Sequence, residues 1–167
     1  MNGPTSTEAD SAETAGAVEA RLAELGLTLP PVAAPVAAYV PAVIEGNLVH
    51  TSGQLPFQGG QLPATGKVGA EVELEEAAEL AALCAVNALA AVKSVIGDLD
   101  RIEQVVKVVG FVSSDPSFTA QPQVVNGASE LLGRVFGDAG VHARSAVGVA
   151  VLPLDSPVEV EMTVRFR

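Results

Sequence analysis

The residues best suited to chemistry lie near the C-terminal end, where His142, Arg144 and Ser145 lead into an apolar and glycine run from Ala146 to Leu152. A guanidinium keeps its charge at any physiological pH and is costly to bury without a partner. An anionic group should therefore face Arg144. The residues alone leave two candidates open, an acidic side chain across a subunit interface or the carboxylate of a ligand, because a guanidinium holds either with two parallel hydrogen bonds.

Two acidic residues follow in the alternating segment 158–167. Such alternation predicts a strand with one wet face, on which Glu159 and Glu161 point the same way. They could simply be solvated. A carboxylate beside a buried guanidinium would instead stay ionised and could accept a proton from an attacking water.

The remaining candidates carry weaker signals. Ser52 and Gly53 end a predicted strand, where a glycine either lets the backbone approach a ligand or forms a bulge. Tyr39 is typical of a core aromatic residue and Asn126 of an exposed helix position. Cys84, in an apolar helix, is typical of a small core residue.

The two histidines, His50 and His142, lack further ligands at metal-binding spacing, so no metal site is predicted. His142 lies two residues before Arg144 and is predicted to line the wall of the same pocket.

Hydrophobic periodicity and turn residues predict the elements that must position these side chains. The order is β-β-α-β-α-β-β after an N-terminal helix, an α+β class with two helices on one face of a sheet. The predicted helices are 17–25, 74–96 and 121–136, and the predicted strands are 38–44, 48–52, 104–113, 145–152 and 158–167. We expect hairpins through 45–47 and through 153–157.

Domain organisation follows from the same pattern. Residues 1–15 are small and polar and are predicted to be a disordered tail, whereas 16–167 form a single domain. The segment 145–152 is apolar on both sides, yet two helices cover only one sheet face. Since one chain cannot supply a second layer, the sequence predicts an oligomer.

Composition excludes several classes of partner. A net charge of -11 disfavours nucleic-acid binding, and one Tyr with no Trp provides no platform for base stacking. No segment is expected to be long and apolar enough to cross a membrane, and the N-terminus lacks the pattern of a secretory signal. A single cysteine fits a reducing, cytoplasmic location.

From about residue 36 to residue 167 the chain resembles the RidA/YjgF family, also called the endoribonuclease L-PSP or reactive-intermediate deaminase family, and most closely a longer branch of uncertain function. The resemblance rests on four segments, 39–56, 95–112, 118–137 and, most specifically, 142–162. It implies a chorismate-mutase-like fold, assembly as a homotrimer with a barrel core, and sites in the clefts between subunits.

The resemblance also implies residue roles. Arg144 matches the arginine that binds the substrate carboxylate, and Glu159 matches the acid that positions the attacking water. Ser52 and Gly53 match a pair that lines the carboxylate pocket. Tyr39 and Asn126 match residues of the pocket wall and edge. Ala146 stands where many active deaminases carry cysteine, although its backbone carbonyl can still hold a water.

The implied activity is hydrolysis of the C=N bond of 2-imino or enamine acids to 2-keto acids and ammonia, with no metal or organic cofactor. The alternative is a trimer of the same family that binds a small carboxylate without turnover. Ribonuclease activity, which one family name suggests, is disfavoured by the charge of -11 and by the lack of a histidine pair placed for RNA cleavage.

Overall fold

A computed structural model describes residues 16–32 and 38–167. Its helices are α1 (Ala17–Glu24), α2 (Leu74–Ile96) and α3 (Gln121–Phe136). Its strands are β1 (Ala42–Glu45), β2 (Leu48–Thr51), β3 (Ile102–Ser113), β4 (Ala143–Val149) and β5 (Val158–Phe166). Short 3-10 turns lie at Leu99–Arg101, Gly137–Gly140 and Pro153–Asp155. The α+β class and the predicted element order are confirmed.

The five strands form one sheet in the order β1-β2-β5-β3-β4. The pair β3–β4 is parallel, and α3 makes the crossover between its strands; all other pairs are antiparallel. The predicted hairpin between the last two strands is therefore wrong, because β3 separates β4 from β5. The link passes the end of β3, where Ser113 N–H donates to Pro157 O at 2.9 Å. A short turn-rich segment has the length of a hairpin, but it does not determine which strands pair.

The core lies between one sheet face and the two long helices. Along β5 the residues Val158, Val160, Met162 and Val164 are buried, whereas the residues between them are only partly buried. The alternation predicted for this strand is confirmed. The other sheet face, which carries Glu159, Glu161 and Thr163, has no helix over it among the described residues. We call it the open face.

Helix α2 corrects one expectation. By length and composition it could cross a membrane, and it is the one such helix in the described part of the chain. However, 67% of its most apolar window is buried within the protein. A core helix packed on a sheet has the same composition, so the helix is explained by its place in the core. Cys84, at its centre, is fully buried, as predicted.

Element boundaries shift where the sequence signal is weak. Strand β1 begins at Ala42 and not at Ala38, so Tyr39 precedes the sheet. Strand β4 begins at Ala143, which places Arg144 inside it. The limits of α2 and α3 are as predicted. The predicted tail, 1–15, lies outside the described residues.

Candidate functional site

Arg144 lies on β4, an edge strand of the sheet, and its side chain reaches toward α3. Arg144 pairs with Val108, a buried residue on the helix-covered face. Its Nη1 donates to Asn126 Oδ1 at 2.7 Å and to Ser129 Oγ at 3.2 Å. Asn126 and Ser129 are three residues apart and so share one face of α3. Two neutral acceptors therefore hold one nitrogen of the guanidinium.

His142 extends this cluster. Its Nδ1 lies 2.6 Å from Gly140 O, and because a carbonyl can only accept, Nδ1 carries the hydrogen. In the neutral ring, Nε2 then accepts from the Ser129 hydroxyl at 2.8 Å. Ser129 consequently accepts from Arg144 while it donates to His142. Sequence reasoning missed Ser129, whose one available signal was its spacing of three from Asn126.

No described acidic side chain lies within ion-pair distance of Arg144. Both hydrogens of Nη1 have acceptors, whereas Nε and Nη2 have no hydrogen-bond partner among residues 16–32 and 38–167. The side chain is nevertheless half-buried. The edge formed by Nε and Nη2 can therefore receive a carboxylate through two parallel hydrogen bonds.

A second cluster forms where the chain leaves β2. Gln54 N–H donates to Val160 O at 2.8 Å, which holds Gly53 against β5. A Cβ at Gly53 would overlap Oε1 of Glu159, so a larger residue here would displace this carboxylate. Ser52 directs its N–H to Pro41 O and its hydroxyl to Val40 O. Of the two backbone N–H groups of Ser52 and Gly53, only that of Gly53 has no acceptor among the described residues.

Electrostatics distinguish Glu159 from the exposed acids. Burial, and secondarily the nearby charge of Glu161, raise the pKa of Glu159 above its ordinary value. The carboxylate is thus a stronger proton acceptor than a solvated one. Burial, with Glu159 as a smaller contributor, also raises the pKa of the Cys84 thiol, which keeps it protonated.

Within one chain the two clusters do not meet. Glu159 pairs with Phe111 on β3, and Arg144 pairs with Val108 on the same strand. Positions 108 and 111 have opposite orientations in an alternating strand, so the two side chains lie on opposite sheet faces. Their strands are separated by β3, a span of about 10 Å at the usual strand spacing.

The other predicted residues are placed as follows. Ala146 lies on β4 on the same face as Arg144, since it pairs with Gly110, next but one to Val108. Tyr39 is 59% exposed, and its hydroxyl has no partner in the described part of the chain. His50 lies on the open face beside Thr163, with Nδ1 at 3.0 Å from Oγ1. Among the described residues no group of three or more His, Cys, Asp or Glu side chains could hold a metal ion.

The mixed five-stranded sheet with its long helices on one face is an α+β fold, and the family match identifies it as chorismate-mutase-like. A family described as "YjgF/chorismate_mutase-like, putative endoribonuclease" matches residues 19–165. The chain belongs to this family.

Similar proteins cover nearly the whole chain. Protein TCP17 of Trypanosoma cruzi is 45% identical over 158 residues, which are 94% of this chain and 99% of the relative. The crystal structure of Atu1372 from Agrobacterium tumefaciens, a protein of unknown function, has a TM-score of 0.85 at 48% identity and covers 90% of this chain and 94% of its own. TdcF of E. coli with bound serine has a TM-score of 0.56 at 25% identity over 83% of this chain and 94% of its own.

Proposed function

We propose that the protein hydrolyses the C=N bond of small 2-imino acids, and of their enamine tautomers, to 2-keto acids and ammonia. Arg144 would hold the substrate carboxylate in a cleft of a homotrimer. The observation that carries this proposal is the state of Arg144, a half-buried guanidinium fixed by neutral partners and free of acidic ones among the described residues.

The proposed binding geometry follows from the hydrogens that remain. Nη1 is used by Asn126 and Ser129, so a carboxylate would take one hydrogen each from Nε and Nη2. TdcF, the E. coli relative, has serine bound in its structure. A 2-imino acid shares with serine a carboxylate beside a nitrogen-bearing carbon, which supports a ligand of this class for the present chain.

The proposed chemistry uses Glu159 as the base. Its carboxylate would accept a proton from water as the water oxygen bonds to the imine carbon, and the raised pKa suits this task. The backbone carbonyl of Ala146 would help to orient the water. Glu159 would then return this proton to the former imine nitrogen, which gives a neutral carbinolamine. As the C–N bond breaks, the hydroxyl proton of the carbinolamine passes to the nitrogen, so imine and water become ketone and ammonia with no redox change.

The homotrimer is part of the proposal because one chain does not complete the site. Arg144 and Glu159 lie on opposite sheet faces, so the Glu159 cluster of a neighbouring subunit would have to meet the Arg144 cluster. Strand β4 has one unpaired edge among the described strands, and Val147 and Val151, on and just after it, are 44% and 71% exposed. An apolar sheet edge is a ready surface for assembly. We propose a cytoplasmic location for the trimer.

The direct test is hydrolysis of freshly generated 2-iminobutanoate, followed through ammonia and 2-oxobutanoate. We expect a rate above the uncatalysed one, and a loss of roughly 100-fold or more in Glu159→Gln, the usual effect of removing a general base. Glu75→Gln, an exposed acid in the first turn of α2, is the matched control and should retain full activity.

A second candidate is binding without turnover. This candidate is favoured by Ala146, which occupies the position where many active deaminases of this family carry cysteine. A protein that binds 2-oxobutanoate in calorimetry through Arg144 but gives no rate above background would support this candidate and contradict the deaminase proposal.

A further inference from the structure

Two residues with no assigned catalytic role, Ser129 and His142, make a continuous hydrogen-bonded connection to the guanidinium of Arg144. From Gly140 O to His142 Nδ1 the distance is 2.6 Å, from His142 Nε2 to Ser129 Oγ 2.8 Å, and from Ser129 Oγ to Arg144 Nη1 3.2 Å. The connection is anchored at one end by a backbone carbonyl, which cannot change its role as acceptor.

In the neutral His142 ring, this anchor sets the direction of each hydrogen bond. The carbonyl of Gly140 selects the Nδ1–H tautomer, so Nε2 offers a lone pair to the Ser129 hydroxyl hydrogen. With its hydrogen directed to His142, Ser129 Oγ turns its lone pairs to Arg144. A serine alone could rotate its hydroxyl elsewhere, for instance to a carbonyl of its own helix. His142 therefore makes Ser129 a dedicated acceptor.

The consequence concerns the ligand-binding edge. Arg144 has several rotatable bonds, and their freedom is lost when the side chain is held in one orientation. Asn126 and Ser129 take the two hydrogens of Nη1, which fixes the plane of the guanidinium. The edge formed by Nε and Nη2 is then turned away from α3 before any ligand arrives, and such preorganisation strengthens binding.

We infer that Ser129 and His142 are positioning residues, which with Asn126 fix the Arg144 guanidinium through Nη1 so that its Nε–Nη2 edge receives a carboxylate side-on. This inference deepens the proposed function and rests on it for the nature of the ligand. The ordering of Arg144, however, is a property of the free protein and can be measured without any substrate.

The first measurement is NMR of the free protein. We expect His142 as the Nδ1–H tautomer and slow rotation within the Arg144 guanidinium, which Ser129→Ala should accelerate about tenfold or more, the effect of losing one hydrogen bond to a charged group. Ser94→Ala is the matched control, because among the described residues the Ser94 hydroxyl bonds only to Ala91 O of its own helix. A His142 ring in the other tautomer, or an Arg144 unaffected by Ser129→Ala, would overturn the inference.

The second measurement is the affinity for 2-oxobutanoate. Ser129→Ala should weaken binding about tenfold, Ser129→Thr should restore it because the hydroxyl returns, and Ser129→Ala should have no further effect in an Arg144→Ala background. Additive effects of the two changes, with melting temperatures unchanged, would contradict a role exerted through Arg144.

The two proposals fail separately. The expected NMR behaviour without imine hydrolysis would count against the deaminase and leave the positioning role supported. Imine hydrolysis by a protein whose Arg144 guanidinium rotates freely would support the deaminase and count against the positioning role.

Discussion

At the scale of single residues, Gly53 offers a sharp test of the second cluster. A methyl group at this position would overlap the Glu159 carboxylate, so Gly53→Ala should displace that carboxylate from its place beside Gly53. We expect turnover of 2-iminobutanoate to fall at least tenfold, whereas stability should change little, because the overlapping oxygen is the end of a flexible side chain that can move aside.

The control for this substitution is Gly133→Ala on α3. A Cβ at Gly133 meets no described atom within 4 Å, and alanine in a helix interior is favoured over glycine by roughly 0.5–1 kcal/mol. The variant should be fully active and melt slightly higher. Full activity of Gly53→Ala beside this control would show that the position of Glu159 against Gly53 does not matter for catalysis.

The site could be predicted from the sequence in part. The adjacency of His142 and Arg144 in sequence suggested a shared pocket, and the structure joins them through Ser129. Ser129 itself could not be singled out, because a mid-helix serine is ordinarily solvated or bonded to its own helix. The separation of Arg144 from Glu159 was also not accessible, since it depends on which strand lies between β4 and β5.

At the scale of elements, the alternation of β5 sets a pH dependence. Glu159 and Glu161 share the open face, and burial, with the charge of Glu161 second, raises the pKa of Glu159. A base works only when ionised, so activity should rise with pH through this raised pKa. Glu161→Gln removes the nearby charge that helps to raise the pKa of Glu159. The acid limb of the pH–activity profile should therefore move to lower pH.

The contribution of Glu159 to the free energy of unfolding should depend on pH in the direction opposite to the activity. Between the unfolded pKa of Glu159 and its raised folded pKa the native state binds more protons, so its contribution to stability falls as pH rises through this window. Urea titrations of Glu159→Gln across the window should show a flatter dependence than the parent. A steeper one would mean that the pKa of Glu159 is lowered in the folded protein.

Helix α1 depends on a cap contributed from a distant segment. Asp100 accepts from Ala17 N–H and Val18 N–H at 2.8 Å each, and these hydrogen bonds, that of Val18 foremost, lower the pKa of Asp100. Asp100→Ala should destabilise the protein by about 1 kcal/mol and speed amide exchange in 17–25, as for loss of other helix caps.

Asp138→Ala, which removes an exposed acid with no side-chain hydrogen bond in the described structure, is the control for the cap. The stabilisation by Asp100 should be present above its unfolded pKa and lost as pH falls through the lowered folded pKa. Unchanged exchange in α1 would show that packing of Val18 and Leu22 alone holds the helix.

The elements were predictable where local signals were strong. Helices α2 and α3 are each followed by a glycine of positive φ, Gly97 at 83° and Gly137 at 60°, a residue that commonly ends helices. The turn-rich segment 153–157 after β4 did not reveal that β4 pairs with β3. The partner is set by the α3 crossover, whose parallel geometry is a tertiary property.

At the scale of the whole molecule, we expect a homotrimer. The chain has a mass of 16.9 kDa, so light scattering should give three times this mass at micromolar concentration. Val147→Lys on the edge strand β4 should weaken the assembly, because it places a charge on an exposed apolar position. A stable, catalytically active monomer would contradict the need for a neighbour.

Whether Arg144 binds a ligand carboxylate is tested by comparing Arg144→Lys with Arg144→Ala. Lysine keeps the charge but lacks the planar fork, so both variants should lose roughly 2–4 kcal/mol of binding to 2-oxobutanoate while the trimer and its melting temperature remain as in the parent. Arg134→Lys, at an exposed position of α3, should change nothing.

The measurement is calorimetric titration with 2-oxobutanoate, run beside light scattering on the same samples. Weak binding by an intact trimer in both variants is the predicted result. If Arg144 instead pairs with an acid of a neighbouring subunit, Arg144→Ala would strand a buried carboxylate and dissociate the trimer. A dissociated variant, or one that binds 2-oxobutanoate as tightly as the parent, would contradict the carboxylate clamp.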